Sequence, residues 1–282
     1  MKTLDQSLGT GIETLTGAGI ASPRRTAETL LLFVLACDRA HLLAHPERIL
    51  TAAETSQFET ALAQRIRGVP VQYITGHQEF WGMDLIVTPA VLIPRPETEH
   101  LVETVLELVR TIPSPRIVDV GTGSGCIALA LAKELAHAEI QAVDSSAAAL
   151  VIAGANAERH GLIDRVRFHE SDLLNAFSHD TACFDFVISN PPYVSESDKE
   201  TLQPEVRNFE PHAALFAGPT GLDVIQRLIP QAQRALKCGG WLVMEIGQGQ
   251  DVAMRRLLSG WRDLRWVPDL QGIPRVVGAQ KG

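Results

Sequence analysis

Short buried strands alternate with helices from Glu97 to the end of the chain, and this alternation restricts the fold more than any other feature. Compact β-branched runs predict five strands, at 116–120, 139–144, 184–189 and in the stretches "RVRFHESD" and "WLVMEIG". Helical periodicity separates them, and the last helix, predicted over 221–240, ends at a pair of glycines. The tail "LRWVPDLQGIPRVVGAQ" predicts two further strands. We therefore expect an α/β fold of Rossmann-like type, with a seven-stranded, mostly parallel sheet covered by helices on both faces.

The first third of the chain has a different pattern. Residues 1–70 show helical periodicity and predict a small N-terminal domain of four or five short helices. Residues 71–93 are rich in β-branched and aromatic side chains, with Gly76 and Gly82 as turn points, and predict a β-hairpin linker. The sheet domain is then expected over 94–282.

Composition and charge exclude several classes of protein. The net charge is −8 and the Lys and Arg residues are dispersed, which argues against long nucleic acid as the main partner. The amino terminus lacks the basic and apolar regions of a signal peptide, and no apolar run approaches the roughly 18–20 residues of a membrane span. The four cysteines form no CxxC pair, so we expect neither a metal site nor disulfides. A cytoplasmic protein is the expectation.

A glycine loop separates the first strand of the sheet domain from the helix after it. In "VDVGTGSGCIALALA" the glycines are Gly121, Gly123 and Gly125. Glycines at the first turn of an open α/β sheet let the backbone approach a ligand closely. The loop lacks the GK[ST] ending of a Walker A motif, and its third glycine comes one residue too early for GxGxxG. By itself the loop is also compatible with a tight strand-to-helix turn.

Acidic residues stand at the ends of three predicted strands: Asp119 before the glycine loop, Asp144 after the second strand and Asp172 after the third. An acid about 20 residues beyond such a loop can bind ribose hydroxyls. Together with the loop, the three acids resemble the S-adenosylmethionine site of class I methyltransferases, in which the third-strand acid binds the adenine amine. NAD is the competing ligand, and each acid alone is also compatible with a helix cap.

A rigid corner follows the fourth strand, in the sequence Asn190-Pro191-Pro192-Tyr193. Its prolines have no N–H to donate, so the corner is poor in donors and rich in acceptors, which are the Asn190 side-chain oxygen and the Pro191 carbonyl. Two fixed acceptors match a planar NH₂ group, and the Tyr193 ring can stack on a flat conjugated group. The corner therefore predicts methylation of an NH₂ on an sp² carbon. Adenine, cytosine, guanine and glutamine amides all satisfy this description.

Motifs along nearly the whole chain separate these substrates. They are "QYITGHQEFWG", "LIPRPETE", "DVGTGSGCIALALA", "ISNPPYV", "EVRNFEPHAAL" and "GGWLVMEIGQGQ". In this combination the chain resembles the protein-(glutamine-N5) methyltransferases, that is, the release factor glutamine methyltransferases of the PrmC/HemK family. DNA adenine methyltransferases share the NPPY corner but not "LIPRPETE". The resemblance implies that S-adenosyl-L-methionine methylates the glutamine of the Gly-Gly-Gln motif in class 1 peptide chain release factors.

The resemblance also implies roles for individual residues. The catalytic residues implied are Asn190, Pro191 and Tyr193. The substrate-binding residues implied are the same three and Pro192. The helical domain would hold the release factor, and we expect a monomer without stable nucleic-acid or membrane binding. The cofactor-binding residues implied are Arg95, Pro96, Glu97, Gly121, Thr122, Gly123, Ser124, Gly125, Asp144, Asp172, Leu173 and Asn190, with Thr98 also bordering the cleft.

Two departures and two alternatives stay open. Ser124 stands where some members carry threonine, and Leu173 where others carry an aromatic residue, which puts a stacking role there in doubt. The role of 206–211 is also open. One alternative is an enzyme that methylates a nucleic-acid NH₂ group; the acidity of the chain counts against it. The other is a binding protein without activity, against which the intact Asn190 and glycine loop speak.

Overall fold

The computed structural model describes residues 2–179 and 181–282 and divides the chain into two compact units. The helical unit comprises the chain up to His77 together with Gln203–Phe209, and the sheet unit comprises Gln78–Leu202 and Glu210–Gly282. The domain limits expected from the sequence, 1–70, 71–93 and 94–282, stay a prediction.

The helical unit is built from short amphipathic helices around an apolar core. Thr3 and Thr51 cap the helices Leu4–Gly17 and Ala52–Ile66 through capping boxes, in which side chain and backbone satisfy each other's free donors. Leu15, Leu30 and Leu31 lie fully buried in the core. The helices are α1 (Leu4–Gly17), α2 (Pro23–Leu35), α3 (Arg39–Ala44), α4 (Ala52–Ile66), α5 (Val71–Thr75) and, later in the chain, α9 (Pro204–Phe209).

A two-stranded hairpin, β1 (His77–Phe80) and β2 (Met83–Ile86), is shorter than the hairpin predicted over 71–93. Residues 71–75 form α5 instead, because Pro70 suits the start of a helix and Gly76, with a φ of 77°, ends it. The sequence pattern overestimated the strands because β-branched residues also fit a short helix that packs against a core.

The sheet unit contains the predicted seven-stranded sheet, in which the strand Pro274–Gln280 is antiparallel to both neighbours. This confirms the predicted fold class. The strands are β3 (Arg116–Val120), β4 (Glu139–Asp144), β5 (Val166–Glu170), β6 (Phe184–Ser189), β7 (Leu236–Glu245), β8 (Arg262–Pro268) and β9 (Pro274–Gln280). Their order across the sheet is β5-β4-β3-β6-β7-β9-β8. The helices are α6 (Glu99–Leu108), α7 (Cys126–Glu134), α8 (Ala147–Arg159), α10 (His212–Leu215), α11 (Asp223–Ala235) and α12 (Asp251–Leu257).

The register of the parallel strands brings their carboxyl ends to one edge. Val120, the last residue of β3, pairs with Val143 on one side and with Ser189 on the other. The residues that follow these positions, Gly121, Asp144 and Asn190, therefore meet at that edge. Ligands of open α/β sheets bind at the carboxyl ends of the strands, so the register places the predicted site residues where such a site belongs.

The helix predicted over 221–240 ends earlier, at Ala235, and its two glycines lie inside β7. The pairing of β7 with β6 changes register between Phe184 and Phe186, as in a β-bulge. A Cβ on Gly240 would lie 3.1 Å from the Asp185 carbonyl oxygen. Gly240 therefore serves a close approach between strands and Gly239 a left-handed backbone conformation with a φ of 77°, whereas the sequence alone suggested a helix stop.

Candidate active site

A cavity of about 320 Å³ opens at the carboxyl edge of the sheet, and all its lining residues belong to the sheet unit. Segments from the glycine loop, the ends of β4, β5 and β6, the stretch after the hairpin and the start of α10 surround it. The lining residues are Ala90, Val91, Leu92, Pro94, Thr98, Val120, Gly121, Thr122, Gly123, Ser124, Cys126, Ile127, Asp144, Ser145, Ser146, Ala149, Ser171, Asp172, Leu173, Asn190, Pro192, Pro211, Ala213, Ala214, Val224 and Arg227.

The glycine loop is held open by hydrogen bonds to β4. The N–H groups of Gly121 and Thr122 donate to the Val143 carbonyl at 2.9 and 3.0 Å. Gly121, Gly123 and Gly125 all have positive φ, and a Cβ on either of the first two would meet no heavy atom within 4 Å. Gly125 differs, because a Cβ there would lie 3.2 Å from the Ala153 side chain. The loop thus needs all three glycines for their backbone conformation, and the third also for packing against α8.

Asp144 lies at the end of β4, where its carboxylate is fixed by two backbone donors. Gly123 N–H donates to Oδ2 and Ser146 N–H donates to Oδ1, both at 2.9 Å. Each carboxylate oxygen has two lone pairs, so both oxygens can still accept hydroxyl groups from a ligand in the cavity. The arrangement suits a pair of ribose hydroxyls.

Asp119 lies behind the loop, fully buried and outside the cavity lining. Burial raises its pKa to about 7, against hydrogen bonds from the Thr122 hydroxyl and the Ala128 N–H that lower it. The Thr122 hydroxyl donates to Asp119 Oδ2 at 2.7 Å. Asp119 therefore supports the loop through Thr122, which does line the cavity.

Asp172 and Leu173 line the far side of the cavity. Asp172 forms an ion pair with Arg227 of α11, a cavity residue that sequence reasoning did not identify. Leu173 adopts a φ of 53°, the left-handed conformation that β-unbranched residues tolerate at some cost. The sequence offered no signal for Arg227, because a single arginine on an amphipathic helix is normally a solvent-exposed residue.

A chain of hydrogen bonds runs from the NPPY corner into the protein. Asn190 Nδ2 donates to Thr98 Oγ1 at 3.1 Å, and the Thr98 hydroxyl donates to Glu245 Oε2 at 2.7 Å. Tyr193 Oη donates to Glu245 Oε1 at 3.1 Å. Asn190 and Pro192 line the cavity, whereas Pro191 is buried and Tyr193 lies outside the lining, turned toward Glu245. Because these hydrogen bonds engage the Asn190 NH₂ group, Asn190 Oδ1 is the acceptor that a ligand can use.

Glu245 is another residue of the site that sequence reasoning missed. It is buried at the end of β7, and burial raises the pKa of its carboxyl group. Burial, followed by the nearby Glu245 charge, also raises the pKa of Tyr193, which keeps the phenol protonated. A signal was present: one acid interrupts the apolar run "WLVMEIG". Buried acids in such runs need partners, so they mark polar networks.

The turn "IPRPETE" contributes to the site unevenly. Among the residues that the structure describes, Pro94 and Thr98 of this turn line the cavity, whereas Arg95, Pro96 and Glu97 do not. Arg95 instead donates to Glu210 Oε1 at 2.6 Å, and Ile93 N–H donates to Glu210 Oε2 at 3.2 Å. The cofactor role expected for these three residues stays a prediction.

The charges around the cavity favour one kind of ligand. The described lining contains two acids, Asp144 and Asp172, with Arg227 as its one basic residue. The pyrophosphate of a dinucleotide is negatively charged and needs several cationic or backbone N–H donors, whereas a positively charged ligand without phosphates can bind next to the two acids.

Burial raises the pKa of Cys126 to about 12, so its thiol stays neutral and unreactive. Residues 2–179 and 181–282 contain no group of metal-binding side chains able to hold an ion.

Two family models match the chain. Residues 6–76 match the PrmC N-terminal domain, and residues 97–208 match the methyltransferase small domain. The first match falls in the helical unit and the second includes the glycine loop and the NPPY corner.

Full-length relatives decide the family. The release factor glutamine methyltransferase of Koribacter versatilis is 50% identical over 279 residues, which are 99% of each chain. The enzymes of the same name from Xylella fastidiosa and Geobacter sulfurreducens are 45% and 42% identical and align with 94% of this chain and with 96% and 92% of their own. The chain belongs to the release factor glutamine methyltransferase family. This confirms the resemblance stated above, and as a member of this family the protein is a methyltransferase.

Solved structures agree with the fold of the family. The hMettl16 catalytic domain, in complex with the MAT2A 3'UTR hairpin 6, is 18% identical with a TM-score of 0.57, over 80% of this chain and 81% of its own. The Thermus thermophilus 16S rRNA N2 G1207 methyltransferase RsmC, in complex with AdoMet and guanosine, is 19% identical with a TM-score of 0.53, over 73% and 50%. At this identity the likeness concerns the fold alone.

Proposed function

We propose that the protein methylates the N5 side-chain amide of the glutamine in the Gly-Gly-Gln motif of class 1 peptide chain release factors. S-Adenosyl-L-methionine is the methyl donor and S-adenosyl-L-homocysteine the second product. One observation carries the proposal: in a chain of this family, Asn190 lies in the cavity wall with its Nδ2 engaged by Thr98, so its oxygen is free to accept from a substrate amide.

The residues of the cavity fit this cofactor. The open space above Gly121 and Gly123 admits a ligand against the backbone, and the Asp144 carboxylate suits ribose hydroxyls. Two acids in the lining are compatible with a sulfonium cation. The cofactor-binding residues proposed are Gly121, Thr122, Gly123, Ser124, Gly125, Asp144, Asp172, Leu173 and Asn190, with Arg95, Pro96 and Glu97 at the border.

The NPPY corner is proposed to hold the substrate. Asn190 Oδ1 and the Pro191 carbonyl accept the two N–H groups of the glutamine amide, while Pro192 and Tyr193 shape its pocket. An amide nitrogen is a poor nucleophile because its lone pair is delocalised into the carbonyl. Two acceptors increase the electron density on nitrogen and stabilise the positive charge that develops there in the transition state. Their rigid backbone also holds the nitrogen in line with the methyl group.

The remaining chemistry needs no strong base. When bound, S-adenosyl-L-methionine supplies an electrophilic methyl group on a positively charged sulfur. The methylated nitrogen becomes acidic and can lose its proton to water or to a nearby acceptor.

The helical unit is proposed to recognise the release factor, in the division 1–70 for recognition, 71–93 for the linker and 94–282 for methyl transfer. The protein is proposed to act as a monomer and without stable nucleic-acid binding. Because release factors act on ribosomes, the reaction takes place in the cytoplasm. In the part of the chain that the structure describes, no helix has the length and hydropathy of a membrane span.

Labelled cofactor tests the proposal. The protein is incubated with methyl-labelled S-adenosyl-L-methionine and one of four acceptors: a release factor, the same factor with Gly-Gly-Gln changed to Gly-Gly-Ala, DNA, or ribosomal RNA. We expect label in the first acceptor alone. Label in nucleic acid and none in the release factor would instead identify a nucleic-acid enzyme.

A further inference from the structure

Three separate elements bring their side chains together beneath Asn190. Thr98 ends a 3₁₀ turn that spans Pro96–Thr98, Glu245 ends β7, and Tyr193 follows β6. Thr98 and Glu245 are both buried, at 1% and 2% exposure. The hydrogen bonds among them are therefore shielded from water and from competing partners.

The number of protons on each of these groups determines which group donates in each hydrogen bond. An ionised Glu245 carboxylate only accepts, so both the Thr98 and the Tyr193 hydroxyls must donate to it. A threonine hydroxyl has a single proton. Once that proton points at Glu245, Thr98 Oγ1 offers lone pairs alone to its other neighbour, Asn190. Only the NH₂ end of the Asn190 amide can satisfy it.

We propose that Thr98 and Glu245 are positioning residues that set the orientation of the Asn190 amide, with Nδ2 held inward and Oδ1 presented to the substrate NH₂. The inference deepens the proposed function and rests on it. With the opposite orientation, the Asn190 NH₂ would face the NH₂ of the substrate, donor against donor, and the acceptor needed for nucleophilic attack would be lost.

The orientation depends on the charge of Glu245. A protonated Glu245 can donate to Thr98, which frees the Thr98 proton to point at Asn190 Oδ1 and removes the preference. Besides burial, several neighbouring groups shift the pKa of Glu245. Glu97 raises the pKa of Glu245, whereas the Thr98 and Tyr193 hydroxyls and Arg275 of β9 lower it. Turnover should therefore fall as the pH falls through the raised pKa of this carboxyl group.

Substitutions at Thr98 separate the hydroxyl from the shape of the side chain. Thr98→Val keeps the shape and removes the hydroxyl; Thr98→Ser keeps the hydroxyl. We expect Thr98→Val to lower kcat at least about tenfold while the cofactor Kd stays within about threefold, and Thr98→Ser to restore most of kcat. Thr104→Val is the matched control, because Thr104 is a buried threonine of α6 that donates to the His100 carbonyl. It should leave kcat unchanged.

Glu245→Gln supplies an independent measurement. With saturating cofactor, we expect a lower kcat that no longer has the acid limb of the wild-type pH profile. The kcat of the double variant Thr98→Val/Glu245→Gln should lie within about twofold of the kcat of Thr98→Val alone, because both changes interrupt the same series of hydrogen bonds. An acid limb that persists in Glu245→Gln, or effects that multiply in the double variant, would overturn the inference.

The two proposals fail in different ways. A wild-type protein that does not methylate the release factor overturns the proposed function. A wild-type protein that does, with kcat of Thr98→Val within about threefold of it, overturns the positioning role alone. If Thr98→Val does not fold, as judged by its circular dichroism and Tm, the pH profile of Glu245→Gln decides.

Discussion

Asn190 is the residue on which the proposed reaction depends most directly. Its side chain lies in the cavity wall, and one end of its amide is engaged by Thr98. The side chain therefore contributes one oriented acceptor, and its removal leaves the rest of the cavity in place. Electrostatic stabilisation of this kind acts on the transition state more than on ground-state binding.

Asn190→Ala should keep the cofactor site and lose turnover. We expect kcat to fall about 100-fold or more, since loss of one oriented hydrogen-bonding group at a reacting centre typically costs this much. The cofactor Kd, measured by calorimetry, should change little. Asn175→Ala is a control, because Asn175 is exposed and outside the cavity lining. A kcat within about threefold of wild type, a loss below roughly 0.7 kcal/mol, would contradict the role of Asn190 as an oriented acceptor.

Asp119 gives a prediction about stability rather than activity. Burial raises its pKa to about 7 in the folded protein, while the unfolded chain releases this proton near the ordinary value of 3.8. Between these values the folded state holds more protons than the unfolded state, so stability falls as the pH rises.

Asp119→Asn removes this titration. From pH 5 to pH 8, the free energy of unfolding of the cofactor-free wild type should fall by about 2 to 3 kcal/mol more than that of the variant. Urea unfolding at the two pH values measures both. Equal losses in the two proteins would show that Asp119 does not titrate in this range.

At the scale of elements, the buried strands were the best predicted part of the chain. β3, β4 and β6 begin and end where the sequence analysis placed them, because parallel strands covered on both faces are continuous apolar runs bounded by polar or glycine residues. The end of α11 was predicted wrongly, since Gly239 supplies a left-handed backbone conformation inside β7, Gly240 permits a close strand contact, and neither stops a helix. Such contacts depend on a neighbouring strand that is distant in sequence.

The link between Arg95 and Glu210 joins two segments that border the cavity. Arg95 follows the lining residue Pro94, and Glu210 precedes the lining residue Pro211. The Glu210 side chain is only 1% exposed, and Arg95 supplies the opposite charge beside it. The ion pair also gives Glu210, near the carboxyl end of residues 206–211, a structural role; the sequence had left the role of this segment open.

Arg95→Ala should destabilise the protein and weaken cofactor binding. Removal of one partner from a buried ion pair typically costs about 3 to 5 kcal/mol, because the other charge stays buried. Arg159→Ala is the matched control, since Arg159 and Asp84 form a half-exposed pair in the same unit, worth about 1 kcal/mol or less. Urea unfolding and cofactor calorimetry measure the difference. Similar losses in the two variants would mean that Glu210 finds other partners.

At the scale of the whole molecule, the helical unit carries exposed apolar side chains that its own core does not use. Among the described residues, large exposed hydrophobics are Phe33, Leu43, Ile49 and Ile66 in the helical unit and Val151, Ile163, Val252 and Leu270 in the sheet unit. If the helical unit binds the release factor, the intact factor gains binding energy that a short Gly-Gly-Gln peptide lacks.

The KM for the intact release factor should therefore lie at least about tenfold below the KM for a Gly-Gly-Gln peptide. Changing the four exposed residues of the helical unit to serine should raise the KM for the intact factor and leave the peptide reaction unchanged. Changing the four residues of the sheet unit is the matched control, with Tm followed in both. Equal KM values for factor and peptide would argue that recognition is confined to the glutamine loop.

The sequence by itself determined the fold class, the glycine loop, the acids at the strand ends and the NPPY corner. These features are local: each is a short run of residues whose backbone chemistry and periodicity act on its immediate surroundings. Only the tertiary structure decided how Asn190 is oriented, because Thr98 lies 92 residues before it and Glu245 lies 55 residues after it in the chain. The register of β6 and β7 brings Glu245 beside Asn190, and the turn Pro96–Thr98 supplies Thr98. Likewise it decided that Arg95 turns to Glu210 and Asp172 to Arg227. Burial and long-range pairing select partners among many charged residues, and a linear pattern does not record that selection.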